Sequence, residues 1–141
     1  MKALAVLVLL LGVMALLQRP ADFSAEEAAR RIVAMNYAVY RKAALSFVQA
    51  NRGFSGEIPL ASLTLPTSWR ALRPWRSRVQ DGFCYVYGEA SPQEAEAVRQ
   101  LFRESLAVGL ADQGRIVPVL RHPVPVPAFV PNGSIVSVTE A

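Results

Sequence analysis

The sequence predicts an α+β domain behind an N-terminal hydrophobic helix, and three observations predict it. Residues 3–17 are apolar without interruption. Apolar residues then recur every three or four positions from Ile32 to Phe47, the period of a helix face. After Gly82 the pattern changes to short β-branched and aromatic runs divided by glycine and proline, the mark of strands. A chain of 141 residues holds one domain, which excludes solenoids, barrel enzymes and large nucleotide-driven machines. With 52% hydrophobic and 18% charged residues the chain is not disordered.

The first element follows Lys2. Ala3 to Leu17, with Leu9 near its middle, forms an apolar stretch closed by Gln18, Arg19 and Pro20. Fifteen helical residues rise roughly 22 Å, short of the ~30 Å hydrocarbon core, so spanning requires local thinning or snorkelling by the flanking charges. Residues 1–20 are therefore a membrane anchor, or an export signal cut near Ala15. Residues 21–141 then form a domain outside the cytoplasm, facing the periplasm. Cys84 is the one cysteine, so no internal disulfide supports that domain.

Ser24 and Glu27 form a capping box that opens a long helix ending at Asn51–Gly53. Ile32, Met35, Val39, Ala43 and Phe47 make its apolar stripe, widened by Val33, Tyr37, Tyr40, Ala44 and Val48. Residues 53–77 are a proline- and glycine-rich connection whose Ile58, Leu63, Trp69 and Trp75 should pack on the core. Asp81-Gly82 signals a tight hairpin. In the strand beyond it Phe83, Tyr85 and Tyr87 face one side, Cys84 and Val86 the other. Ser91-Pro92-Gln93-Glu94 opens a second helix, with Val98, Leu101, Phe102, Leu106 and Val108 on its apolar face and Gly109 or Gly114 at its end. Residues 115–120 are an edge strand, because Pro118 lacks a donor. Pro123 to Pro131 is extended, and Ile135–Thr139 closes a small antiparallel sheet.

Chemistry is thinly represented. His122 is the one histidine, so a Cys84–His122 dyad is the one thiol–base pair available, and Cys84 lies in an apolar strand. No serine has the G-x-S-x-G setting, no phosphate-binding glycine motif occurs, and the His and Cys complement does not make a zinc site. No catalytic residue, metal or cofactor is expected. The charge of +4 is dispersed, so no nucleic-acid partner is expected, and without a catalytic motif no small-molecule substrate is expected. The run Trp69–Arg78 is different: it holds four arginines and both tryptophans, types enriched at protein interfaces. Trp69, Arg70, Arg73, Trp75 and Arg76 are the candidate partner contact. The segment with Pro125, Pro127, Phe129 and Pro131 is the second candidate.

The layout of apolar helix, continuing helix and small sheet domain resembles that of pilins. The pilin processing pattern is missing, since Leu17 stands where a glutamate should follow Gly12. A closer resemblance rests on Asn36-Tyr37-Ala38-Val39-Tyr40-Arg41, Gly56-Glu57-Ile58-Pro59, Leu65-Pro66-Thr67-Ser68-Trp69 and Gly82-Phe83-Cys84-Tyr85-Val86-Tyr87-Gly88. Its last block is Pro127-Ala128-Phe129-Val130-Pro131-Asn132-Gly133-Ser134-Ile135-Val136-Ser137-Val138. In these the chain resembles the small PilM-type proteins of type IVB thin-pilus systems on conjugative plasmids and integrative elements. The resemblance implies a non-enzymatic, inner-membrane, periplasm-facing accessory of pilus assembly whose partners are other pilus proteins. A minor pilin-like or exported structural subunit is the alternative.

Overall fold

A computed structural model describes residues 2–103, 107–117 and 124–141, with side chains from residue 25 onward. The chain divides into two compact units, residues 1–30 and 31–141. The first holds the N-terminal part of helix α1 (Lys2–Ala50), where Arg30 pairs with Glu26 one turn earlier at 3.0 Å. The anchor residues Ala3, Leu9 and Leu17 lie in the part of α1 whose side chains are outside the described residues. Among the described residues no helix is long and apolar enough to cross a membrane.

The second unit is α+β. It contains the rest of α1, then β1 (Gly56–Glu57), β2 (Arg76–Gln80), β3 (Phe83–Glu89), α2 (Pro92–Leu101), β4 (Val108–Asp112), β5 (Arg115–Val117) and β6 (Ser134–Glu140). The strands form one antiparallel sheet in the order β1-β2-β3-β6-β4-β5. β5 stands at the end of the strand order, and residues 118–123, Pro118 and His122 among them, fall outside the described residues.

Two expectations are corrected. Ser24 caps no helix, because α1 continues through it. The alanine-, glutamate- and arginine-rich stretch after Pro20 consists of strong helix formers, and extending a formed helix is easier than nucleating a new one. The stripe is also rotated. Val33, Ala34, Tyr37, Tyr40, Ala44 and Val48 form the buried face, whereas Ile32 and Met35 are 59% and 57% exposed. Both sets have helical spacing, so periodicity alone could not choose between them; the two tyrosines decided it, since each finds a polar partner on the sheet.

β2 and β3 join through Asp81 (φ 53°) and Gly82 (φ 79°), the paired left-handed conformations of a type I′ turn. Gln113 (φ 46°) and Gly114 (φ 75°) repeat this between β4 and β5. That second hairpin overturns the expected end of the second helix: Val108 belongs to β4, paired with Ser137 of β6. α2 stops at Leu101, which is exposed, and Leu106 is outside the described residues. Ser91 caps α2 through a complete capping box with Glu94, as the sequence predicts.

Alternation divides the sheet's two faces. Cys84, Val86, Val79, Ser77, Ile135 and Ser137 turn toward α1. Tyr85, Tyr87 and Val136 turn the other way, under the proline-rich segment. On the α1 side the Tyr37 hydroxyl donates to the Val86 carbonyl at 2.8 Å and lies 2.9 Å from Ser137 Oγ. Ser137 Oγ in turn accepts from Arg41 Nε at 3.0 Å, while Tyr40 meets Ser77 Oγ at 3.1 Å. Buried hydroxyls are thus paired across the helix–sheet seam, which fixes its register. Cys84 is fully buried in this seam, and burial pushes its thiol up to about 11, outweighing the opposing charge of Arg41. Iodoacetamide at pH 8 should leave Cys84 unmodified in the folded protein and alkylate it promptly in urea; equal rates in both would contradict the buried placement.

Candidate partner-binding surface

The Trp69–Arg78 run does not form one patch. Its members are separated by the way the loop before β2 is fastened to α1. Asn36 does the fastening. Its Oδ1 accepts from the Leu72 backbone N–H (3.0 Å) and from Trp75 Nε1 (2.8 Å), and its Nδ2 donates to the Arg70 carbonyl (2.8 Å). Trp75 is therefore buried, edge-on to Tyr37 with ring centroids 5.0 Å apart. Trp69 is half-buried and stacks on Tyr40 at 6.0 Å. Both tryptophans anchor the loop to the core.

Arg73 is also committed inward. Its Nε bonds Glu94 Oε2 at 3.2 Å, and its Nη2 bonds Glu94 Oε1. Glu94 thus serves α2 twice, as capping-box residue and as the anchor for Arg73. Burial raises its carboxyl, but the bonds from Arg73 and from the Ser91 N–H outweigh burial and hold it below the ordinary carboxylate value. A lowered folded pKa contributes stability that is complete above the unfolded-state value and is lost as pH falls through the folded value. Glu94→Gln should cost roughly 1–2 kcal/mol at pH 7, a range reduced for the partly exposed arginine. It should also lose less than the parent on acidification below the carboxylate range. Urea unfolding at pH 7 and at pH 3 checks this, and identical acid losses in both proteins would contradict it.

Arg70 and Arg76 remain exposed. Arg76 opens β2 on the sheet face away from α1, and there it meets the second candidate segment. Residues 124–126 first pair with the β5 edge: Ile116 N–H donates to the Val124 carbonyl (3.1 Å), Val126 N–H donates to Gly114 (2.8 Å), and Pro125 bridges Arg115. The chain then turns at Pro127, where Val130 N–H donates to the Pro127 carbonyl at 3.1 Å. The turn lays Phe129 over Tyr85 and Tyr87, with centroids 5.5 and 5.7 Å apart. The Arg78 guanidinium lies 4.8 Å from the Phe129 centroid, a favourable cation–π placement. Val126 and Val130 are buried; Pro125 and Pro131 are exposed. The segment is thus both an edge-pairing strand and a strap across the open face.

The strap and the start of β2 enclose a cleft of about 310 Å³. Pro74 and Arg76 line one side and Phe129 and Pro131 the other, with Tyr87, Gly88, Glu89 and Ser134 also in its lining. Gly88 is required here, since a methyl group in its place would overlap the Trp75 ring. Ser134 is fully buried and its Oγ has no hydrogen-bond partner. Beyond their place in the stretches that carry the family resemblance, nothing in the sequence marked Ser134 or Asn36. The pairing of Glu89 with Ser134 across β3 and β6 brings the two candidate segments to one place.

Among the described residues no group of three or more His, Cys, Asp or Glu is arranged to hold a metal ion. No curated protein matches the chain. The fold is similar to that of a crystal structure of a PilM protein from Escherichia coli B7A, with a TM-score of 0.60 at 18% identity. That similarity covers 81% of this chain and 94% of the other. The family model named PilM matches residues 6–138, and the chain belongs to the PilM family.

Proposed function

We propose that this protein is a non-enzymatic accessory of type IVB pilus assembly, anchored in the inner membrane with its domain in the periplasm, and serving conjugative DNA transfer. It docks another pilus protein through the face bearing Arg76, Phe129 and Pro131. Membership of the PilM family supports the pilus role. The observation that carries the docking surface is the convergence of Arg76 with Phe129 and Pro131 around one cleft. Two segments far apart in sequence supply an exposed cation, an aromatic ring and stiff prolines there, the composition of an interface centre. The apolar run 3–17 between Lys2 and Arg19 supports the anchor. The non-enzymatic reading draws support from the shielded thiol of Cys84.

Intact mass and fractionation of the natively expressed protein test the anchor. A mass of 15.4 kDa in the inner-membrane fraction is expected. A shortened form in the soluble periplasm would remove the anchor from the account. A second reading, a minor pilin-like subunit, is favoured by the length of α1, which runs from Lys2 to Ala50. Under that reading the protein is recovered in sheared pili; under the accessory reading it stays with the cells.

A further inference from the structure

We propose that the cleft between β2 and the strap captures the C-terminal carboxylate of a partner polypeptide, with the last apolar side chain of that partner seated against Phe129 and Pro131. The proposal rests on the docking reading above and gives that surface its chemistry. Two features of the cleft point to a carboxylate, and a third selects against phosphate.

The first is Ser134. A hydroxyl that is fully buried and unpartnered carries an unrecovered desolvation cost, and Ser134 belongs to the lining of the cleft. The second is Arg76. Its guanidinium faces the Tyr87 hydroxyl and forms no ion pair among the described residues, unlike Arg73 a short distance along the chain. A planar guanidinium with free donors matches a carboxylate geometrically. The third is Glu89. This exposed acid also lines the cleft, and it sets the charge the site tolerates. Its charge opposes any anion, and opposes a doubly charged phosphate about twice as strongly as a carboxylate. It disfavours a multiply charged phosphate, so a lipid headgroup fits poorly.

Size selects the end of a chain. About 310 Å³ lies at the small end of ligand cavities, enough for a terminal residue rather than for a strand running through. The walls of Pro74, Phe129 and Pro131 are stiff or packed, so little ordering opposes binding. Arg76 and Ser134 then bind the carboxylate oxygens, and the Phe129 ring, held between Tyr85, Tyr87 and Arg78, receives the side chain.

The test titrates full-length, ¹⁵N-labelled protein in detergent micelles with three probes: N-acetyl-leucyl-leucine, its amide, and N-acetyl-leucyl-glutamyl-leucinamide. The free acid should shift the amide signals of Gly88, Glu89 and Ser134 saturably and bind at least tenfold more tightly than the amide. Arg76→Gln should reduce its affinity to that of the amide. Ser134→Ala should weaken it severalfold while leaving the spectrum elsewhere unchanged. Equal binding of acid and amide overturns the proposal, as does tighter binding of the internal glutamate peptide or the absence of saturable shifts at those residues. Any of these results leaves the docking surface itself to be judged by pilus assembly in charge-reversed variants, so failure of the ligand chemistry and failure of the surface are told apart.

Discussion

Replacing Asn36 with alanine should destabilise the domain by about 3 kcal/mol, from three lost hydrogen bonds at roughly 0.5–1.5 kcal/mol each and an indole N–H left without its acceptor. The side chain holds Arg70, Leu72 and Trp75 to α1 at 2.8–3.0 Å. Its Oδ1 serves two donors at once. For a domain of this size such a loss lowers the melting temperature by more than about 10 °C. Asn36→Asp should do less harm, because it keeps both acceptor contacts, although its second oxygen replaces a donor and is repelled by the Arg70 carbonyl. Thermal unfolding of the two variants beside the parent checks the order. An alanine variant that melts with the parent would show that the loop is held by its tryptophans alone.

Gly88→Ala should also be costly, by about 1–3 kcal/mol as an overpacked site. The new methyl group overlaps the Trp75 ring and lies 3.3 Å from the Pro74 carbonyl oxygen. The indole has no slack, being pinned by Asn36 on one side and set edge-on to Tyr37 at 5.0 Å. Relief requires moving Trp75 outward, which breaks the bond to Asn36. The two substitutions therefore act on one displacement, and the double variant should lose less than the sum of the single losses. Urea unfolding of the cycle measures the coupling; strict additivity would mean that Trp75 does not link them.

What the sequence made legible was local. Ser91 and Glu94 carry their capping chemistry within four residues, Asp81-Gly82 carries its turn, and Phe83–Tyr87 declares its two faces by alternation. Long-range pairing was not legible. Val108 is apolar and follows a helix at plausible spacing; only its partner Ser137 makes it a strand. Asn36 is an ordinary polar residue on a helix until residues 34 to 39 positions away bond to it. The same holds for the candidate surface. The sequence picks out both segments, the arginine–tryptophan run and the proline-rich strap. It does not show that α1 claims Trp69 and Trp75 and that Glu94 claims Arg73. Arg76 is left beside Phe129 and Pro131 because β2 alternates and β3 pairs with β6.

The most direct test of the docking account is an Arg76→Glu variant, assayed for assembled pili and pilus-dependent mating at parental expression. Arg76 is exposed, and its side chain forms no ion pair among the described residues, so the melting temperature should stay within a few degrees of the parent. The account predicts a folded, membrane-bound protein with pili and mating strongly reduced. Parental levels of both in that folded variant would contradict it, and the partner would then have to bind elsewhere on the domain.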